Sequence, residues 1–172
     1  KIKNMPWEKI DFFIGDERYV EETSPYSNIN LCREFLLNKL KISKKQIFYI
    51  TTKLNSVLND SIKYEKKIKT YFKKKNISFD LILLGLGNDG HIASLFKQNI
   101  KNNTNKNIDF VIKNDFSRIT FTINCINKCK KIFLWAPGKN KSMIVKKICK
   151  DKKHYYPASF IKNKNSFLFY CN

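Results

Sequence analysis

Runs of apolar residues alternate along the chain with segments of helical periodicity. The apolar runs predict strands at residues 7–14, 46–50, 81–84, 110–112, 118–123, 131–136 and 166–170. Apolar residues three and four positions apart predict helices at residues 29–40, 54–75 and 139–149, with a helical turn at 124–130. This alternation is typical of an α/β fold, a Rossmann-like and mostly parallel sheet with helices on both faces. We expect one domain over residues 1–172.

The spacing of apolar residues also predicts which face of each helix is buried. In the first helix the apolar stripe includes Leu31, Phe35 and Leu36, and in the second it includes Leu58 and Ile62. We expect these side chains to face the core.

A glycine-rich turn follows the strand at 81–84. That strand is an uninterrupted apolar run, which predicts burial on both faces. The glycines of the segment Gly85–Gly90 allow positive φ angles and a close approach to a ligand, and Ile92–Phe96 is predicted to begin a helix. Asp89 and His91 therefore lie at the carboxyl end of a strand, where α/β proteins bind their ligands.

The turn also matches the dinucleotide-binding pattern G-x-G-x-x-G through Gly85, Gly87 and Gly90. That pattern alone is a weak indication. The helical pattern fades after residue 96, and the acidic residue at a suitable distance, Asp109, precedes its strand instead of ending it. Asp89 would also place a carboxylate near the pyrophosphate, so dinucleotide binding is disfavoured.

Apolar residues make up 42% of the 172-residue chain, enough for a sizeable core. No apolar run approaches the roughly 20 residues that span a bilayer, and we expect neither a membrane association nor a signal peptide. The five cysteines have neither a disulfide-framework spacing nor a complete metal motif: Cys32, Cys125, Cys129, Cys149 and Cys171. We expect reduced thiols in a cytoplasmic protein, and no metal.

The formal net charge of +20 raises the hypothesis of a nucleic-acid-binding protein. Only three of the 34 basic residues are arginines, whose bidentate side chain is favoured for reading bases. The lysines are spread over the whole chain. We therefore expect non-specific binding to polyanions at low salt, and no specific nucleic-acid partner.

Polar groups collect at predicted carboxyl ends of strands. Asp16 and Arg18 follow the first strand, Asp89 and His91 follow the strand at 81–84, and Lys141 follows Pro137-Gly138. A histidine can serve as a general base near neutral pH, and Asp89 could orient its ring. Acid–base groups beside cationic groups suggest chemistry on a small phosphorylated substrate. A salt-bridged surface turn at residues 16–18 and a solvated Lys141 remain open as alternatives.

These residues carry a resemblance to a known family. The chain resembles the 6-phosphogluconolactonases, within the wider glucosamine-6-phosphate isomerase/6-phosphogluconolactonase superfamily. The matching pieces occur in family order over nearly the whole chain: Trp7, the segment 13–20 with Asp16-Glu17-Arg18, Ser27-Asn28, the segment 83–96 with Asn-Asp-Gly-His-x-x-Ser-Leu-Phe, Arg118-Ile119-Thr120, Gly138 and Lys141 as G-x-x-K, and Pro157-Ala158.

The resemblance implies hydrolysis of 6-phosphoglucono-δ-lactone to 6-phosphogluconate, the second step of the oxidative pentose phosphate pathway, without a metal or organic cofactor. It implies that His91 activates a water molecule, with Asp16 and Asp89 orienting substrate hydroxyls and the histidine. Arg18 and Lys141 would hold the phosphate or the oxyanion, with Arg118 a weaker candidate. The backbone at Gly87 and Gly90 would also approach the substrate.

Members of this family usually carry, before the segment matched here, a strand that leads to a Gly-Gly-Ser/Thr phosphate loop. We therefore expect the chain to be an N-terminally truncated fragment of a longer protein. Because some lactonases are fused to glucose-6-phosphate dehydrogenase, fusion to or association with that enzyme is part of the expectation. The alternatives are a glucosamine-6-phosphate isomerase/deaminase and a non-catalytic sugar-phosphate-binding module.

Overall fold

The computed structural model of the protein describes residues 5–40, 42–52, 56–73, 76–100 and 105–171. The strands of this part of the chain are β1 (Phe12–Phe13), β2 (Asp16–Arg18), β3 (Ile47–Phe48), β4 (Leu81–Gly85), β5 (Ile108–Val111), β6 (Arg118–Phe121), β7 (Lys131–Pro137) and β8 (Ser166–Cys171). The α-helices are α1 (Asn28–Phe35), α2 (Val57–Tyr71), α3 (Ile123–Asn127) and α4 (Ser142–Cys149). Short 3-10 helices lie at Trp7–Lys9, Leu37–Lys39, Lys44–Gln46, Lys139–Lys141 and Pro157–Phe160.

Parallel strands form two of the sheets in this part of the chain. β4, β7 and β8 pair in that order, and β1 pairs with β3. A third sheet, β2-β6-β5, is antiparallel. The α/β class with parallel strands is thus confirmed, and the antiparallel sheet is an addition. It arises because residues 16–18, for which a salt-bridged surface turn was one of the open alternatives, form strand β2.

Two strand predictions need correction. The first strand covers only Phe12–Phe13, since the preceding residues form the 3-10 helix Trp7–Lys9 behind Pro6. β4 is not buried on both faces, because burial alternates along it: Ile82 and Leu84 are buried, whereas Leu83 is 71% exposed. One face of this strand packs on the core and the other faces solvent.

Helices α1 and α2 bury only part of their predicted apolar stripes. In α1 the buried residue is Ile29, whereas Leu31, Phe35 and Leu36 are exposed. Only part of the predicted helix 29–40 is α-helical, because Leu36 leaves helical geometry before the 3-10 helix Leu37–Lys39.

α2 also turns a partly polar face to the core. Asp60 and Tyr64 are buried, while Leu58 and Ile62 are exposed. The Tyr64 hydroxyl donates to the carbonyl of Ile14, the residue that follows β1, over 2.9 Å. This hydrogen bond fixes the rotation of α2 about its axis. Residues 54, 55, 74 and 75 of the predicted helix lie outside the described residues.

An aromatic group packs between β1, β6 and the start of β4. The rings of Phe13 and Phe79 meet edge to face at 5.0 Å, and those of Phe79 and Phe121 stack at 5.1 Å. Such pairs add to the burial of their apolar area. The packing fixes the position from which β4 enters the glycine turn.

Glu17 joins strand β2 to helix α1. Its carboxylate is buried and accepts hydrogen bonds from the backbone N–H groups of Asn28 and Ile29, over 2.6 and 2.8 Å, and from the Ser27 hydroxyl over 3.2 Å. The first N–H groups of a helix lack intrahelical partners and favour a negative charge. The carboxylate therefore fixes the start of α1 against β2.

We predict that Glu17→Ala lowers the free energy of unfolding by about 3 kcal/mol, because it leaves buried N–H groups without an acceptor. Urea unfolding followed by circular dichroism measures this change. The control is Glu21→Ala, which removes an exposed carboxylate of the same segment and is expected to change the unfolding free energy by less than about 0.5 kcal/mol. Equal stability of the two variants would contradict this role of Glu17.

Candidate active site

The glycine turn after β4 closes on itself. The Gly87 N–H donates to the His91 carbonyl over 2.9 Å, and the Gly90 N–H donates to the Gly87 carbonyl over 3.0 Å. An isolated bridge pairs Leu86 with Ile92. These bonds hold His91 beside the end of β4.

The prediction of a helix starting at Ile92–Phe96 is wrong. Ala93 has a φ of 47°, a left-handed value that interrupts a right-handed helix, and Ile92 forms a bridge with Leu95. The segment therefore folds back as a tight turn, which brings its side chains onto strands β2 and β6.

Asp89 and His91 form a close pair. His91 Nδ1 lies 2.6 Å from Asp89 Oδ1, and the His91 backbone N–H donates to the same oxygen over 3.2 Å. Burial tends to raise the pKa of Asp89, but the hydrogen bonds from the side chain and backbone of His91 outweigh it and hold that pKa below its usual value. Asp89 is thus an ionised carboxylate that accepts hydrogen bonds from His91.

This pairing decides the tautomer of the histidine. An ionised carboxylate only accepts hydrogen bonds, so the neutral imidazole carries its proton on Nδ1 and a lone pair on Nε2. Among the described residues none makes a hydrogen bond with Nε2, and the side chain of His91 is 35% exposed. The arrangement is that of a general base open to solvent.

Positions 87 and 90 require glycine, because neighbouring side chains occupy the space that a Cβ would need. A Cβ at Gly87 would lie 2.1 Å from His91 Nδ1 and 2.8 Å from Asp89 Oδ1. Gly90 has a φ of 79°, and a Cβ there would lie 2.9 Å from the side chain of Tyr156. Both glycines, predicted to approach the substrate, thus also make room for neighbouring side chains.

Asp16 lies on β2 and meets the turn through Ser94, whose hydroxyl donates to Asp16 Oδ2 over 2.8 Å. Burial raises the pKa of Asp16, and the Ser94 hydrogen bond and the charges of Arg18, His91 and Arg118 oppose this rise in part. The structure thus brings Asp16 into electrostatic reach of His91, as expected from the sequence.

The two arginines lie opposite each other on β2 and β6. Arg18 donates from one guanidinium nitrogen to the Tyr26 carbonyl over 2.8 Å. Arg118 is mostly buried and makes two hydrogen bonds with Asp115, over 3.0 and 2.6 Å. The guanidinium group of Arg118 is therefore paired with a carboxylate, whereas the guanidinium group of Arg18 has N–H donors left for a ligand.

Lys141 lies in the 3-10 helix Lys139–Lys141, directly after Gly138, whose φ is 95°. Since β7 runs parallel to β4, this helix and the glycine turn follow their strands at the same edge of the sheet. Within the described residues no hydrogen bond or ion pair joins Lys141 to the Asp89–His91 pair. The structure places Lys141 at the predicted edge, without direct contact to the histidine.

Two residues of the site were not singled out from the sequence. Ser94 joins the turn to Asp16, and Tyr156 packs on Gly90. Ser94 stands in the Ser-Leu-Phe segment after the histidine, but a serine there gives no indication of its partner 78 positions away.

Among the described residues no group of three or more His, Cys, Asp or Glu side chains could hold a metal ion. Cys125 and Cys129 are buried and free, and burial raises the pKa of both thiols, that of Cys129 to about 11. In the same part of the chain, no helix has the length and apolar character needed to cross a membrane. The chemistry available at the site is that of a histidine base, carboxylates and cations.

Comparisons with known proteins place the chain. The model of the family described as glucosamine-6-phosphate isomerases/6-phosphogluconolactonase matches residues 1–169. A 6-phosphogluconolactonase of Synechocystis is 34% identical over 171 residues, which cover 96% of this chain and 71% of that protein. The chain belongs to the glucosamine-6-phosphate isomerase/6-phosphogluconolactonase family.

Solved structures agree with this assignment. The crystal structure of 6-phosphogluconolactonase from Thermotoga maritima superposes with a TM-score of 0.85 at 31% identity, covering 98% of this chain and 75% of that one. 6-phosphogluconolactonase from Plasmodium vivax gives a TM-score of 0.84 at 25% identity, covering 99% and 71%. The fold and the family predicted from the sequence are thereby confirmed.

We predict that Gly87→Ala separates His91 from Asp89, because the added Cβ would overlap the imidazole ring. The measurement is proton NMR of the imidazole Nδ1–H, whose downfield signal reports the hydrogen bond to Asp89. Gly85→Ala is the matched control, since a Cβ there meets no atom within 4 Å, and it is expected to keep the signal. Retention of the signal in Gly87→Ala would contradict the packing described for the ring.

Proposed function

We propose that the protein hydrolyses 6-phospho-D-glucono-1,5-lactone to 6-phosphogluconate, as a carboxylic ester hydrolase of the oxidative pentose phosphate pathway. The observation that carries the proposal is the Asp89–His91 contact of 2.6 Å at the carboxyl end of β4. It supplies an oriented general base in a chain whose relatives at 34% and 31% identity are named 6-phosphogluconolactonases.

His91 acts first as a base. Its Nε2 removes a proton from a water molecule while the water oxygen bonds to the lactone carbonyl carbon, whose oxygen becomes an oxyanion. Asp89 stabilises the imidazolium that forms, since the Nδ1–H remains bonded to its carboxylate. When the oxyanion collapses, the bond to the ring oxygen breaks and the imidazolium returns the proton to that oxygen, which leaves as a hydroxyl group.

Cationic residues bind the charges of the substrate. Arg18 retains free guanidinium donors beside Asp16 and stabilises the developing oxyanion or the phosphate. We assign Lys141 to the phosphate, because it lies at the edge of the sheet that carries His91. Arg118 is the weaker candidate, since its guanidinium group is paired with Asp115.

Asp16 accepts a hydrogen bond from a hydroxyl of the substrate. Its Oδ2 receives the Ser94 hydroxyl, whereas Oδ1 receives no hydrogen bond from the described residues. A half-buried carboxyl group with one free oxygen is suited to orient a sugar hydroxyl.

A glucosamine-6-phosphate deaminase is the runner-up. The solved structure of a monomeric glucosamine-6-phosphate deaminase matches with a TM-score of 0.80 but only 18% identity, which concerns the fold alone. No side chain among the described residues of the site favours that activity over lactone hydrolysis. Release of ammonia from glucosamine 6-phosphate is the assay that separates the two.

Three expectations from the sequence stay predictions. They are the single domain over residues 1–172, the cytoplasmic location, and the fusion to or association with glucose-6-phosphate dehydrogenase.

We predict that His91→Ala lowers kcat/KM for freshly generated 6-phosphogluconolactone by a factor of about 100 or more, because it removes the general base. The rate is measured above the spontaneous hydrolysis of the lactone. His154→Ala, which replaces the other histidine of the chain, is the control and is expected to keep the wild-type rate. A folded His91→Ala variant that turns over normally would exclude His91 as the base.

A further inference from the structure

Ser94 contacts both strands of the antiparallel ladder that carries Asp16. It is 1% exposed and lies three residues beyond His91 in the same turn. Its hydroxyl donates to Asp16 Oδ2 over 2.8 Å, and its backbone N–H donates to Thr120 Oγ1 over 3.1 Å. Asp16 and Thr120 are directly opposite each other in the β2·β6 register, so their side chains lie on one face of the ladder.

Ser94 uses its single hydroxyl proton in the contact with Asp16. A serine hydroxyl has one proton to donate, and here it goes to the carboxylate. The Ser94 N–H donates to Thr120, which fixes the backbone of Ser94 beside β6. A hydroxyl turned away from Asp16 would itself be a buried donor without an acceptor. The carboxylate of Asp16 is thus held by Oδ2 alone among the described residues.

We propose that Ser94 is a positioning residue of this site: its hydroxyl holds the Asp16 carboxyl group through Oδ2 and leaves Oδ1 free for a hydroxyl of the substrate. The kinetic consequence rests on the proposed function, whereas the effect on the Asp16 carboxyl group does not.

Several charged or titratable groups face Asp16. Arg18 comes from its own strand, Arg118 from β6, His91 from the glycine turn and the Cys32 thiol from α1. The charges of Arg18 and Arg118, and that of His91 when it is protonated, lower the pKa of Asp16, burial raises it most, and the Ser94 hydrogen bond is the largest opposing contribution. Removing the hydroxyl therefore raises the pKa of Asp16 further, which widens the acidic range in which Asp16 is neutral.

The kinetic test is the pH profile of kcat/KM for lactone hydrolysis. Ser94→Ala is expected to move the acid limb to higher pH, with a loss of about tenfold at the acid end. On the plateau above the acid limb the loss stays below about threefold. The matched control is Ser61→Ala, because Ser61 is also a buried serine that donates one hydrogen bond, to the Leu58 carbonyl. Ser61→Ala is expected to keep the wild-type pH profile of kcat/KM, even if it lowers the free energy of unfolding.

A direct titration separates the proposal from the assigned function. Carbon-13 NMR of the aspartate carboxyl groups in the free protein is expected to give a higher pKa for Asp16 in Ser94→Ala than in the wild type or Ser61→Ala. An unchanged Asp16 pKa, or a loss of activity that is uniform over pH, overturns the proposal.

If Ser94→Ala does not fold, Thr120→Val serves as the second variant. It removes the acceptor of the Ser94 N–H and is expected to raise the Asp16 pKa in the same direction, and an unchanged value overturns the proposal. If the wild-type chain hydrolyses no lactone, the proposed function fails, and the carboxyl titration alone then decides the role of Ser94.

Discussion

The site depends on the close approach of the His91 ring to the backbone at Gly87. Any Cβ at that position would lie 2.1 Å from Nδ1, so only glycine allows the ring to reach the Asp89 carboxylate. The 2.6 Å contact with Asp89 then fixes the tautomer and turns Nε2 toward solvent. One glycine therefore determines whether the histidine has the orientation that a base requires.

Strand β2 divides its side chains between structure and chemistry. Successive residues of a strand point to opposite faces, so Asp16 meets the glycine turn through Ser94 while Glu17 binds the start of α1. Arg18 shares the face of Asp16 and lies opposite Arg118. The helix cap made by Glu17 thus holds the strand that presents the charged residues of the site.

The sequence predicted where along the chain the residues of this site lie better than it predicted how the segment around them folds. Asp89 and His91 follow an apolar run and glycines, which are local signals, and the structure places them at the end of β4 as expected. The turn at Ile92–Phe96 was not predictable, because the positive φ of Ala93 has no counterpart in helix propensity.

Contacts distant in sequence explain the other differences. α2 packs with Asp60 and Tyr64 inward because the Tyr19 hydroxyl donates to Asp60 and the Tyr64 hydroxyl donates to the Ile14 carbonyl. Such partners are not visible in a helical pattern.

The measurement that tests the central claim most directly is lactone hydrolysis by Asp89→Asn. The control is Asp80→Asn, which lies just before the other end of β4. The account predicts a loss of about a hundredfold or more in kcat/KM for Asp89→Asn alone, with unchanged stability. A wild-type rate in that variant would contradict the role of the Asp89–His91 pair.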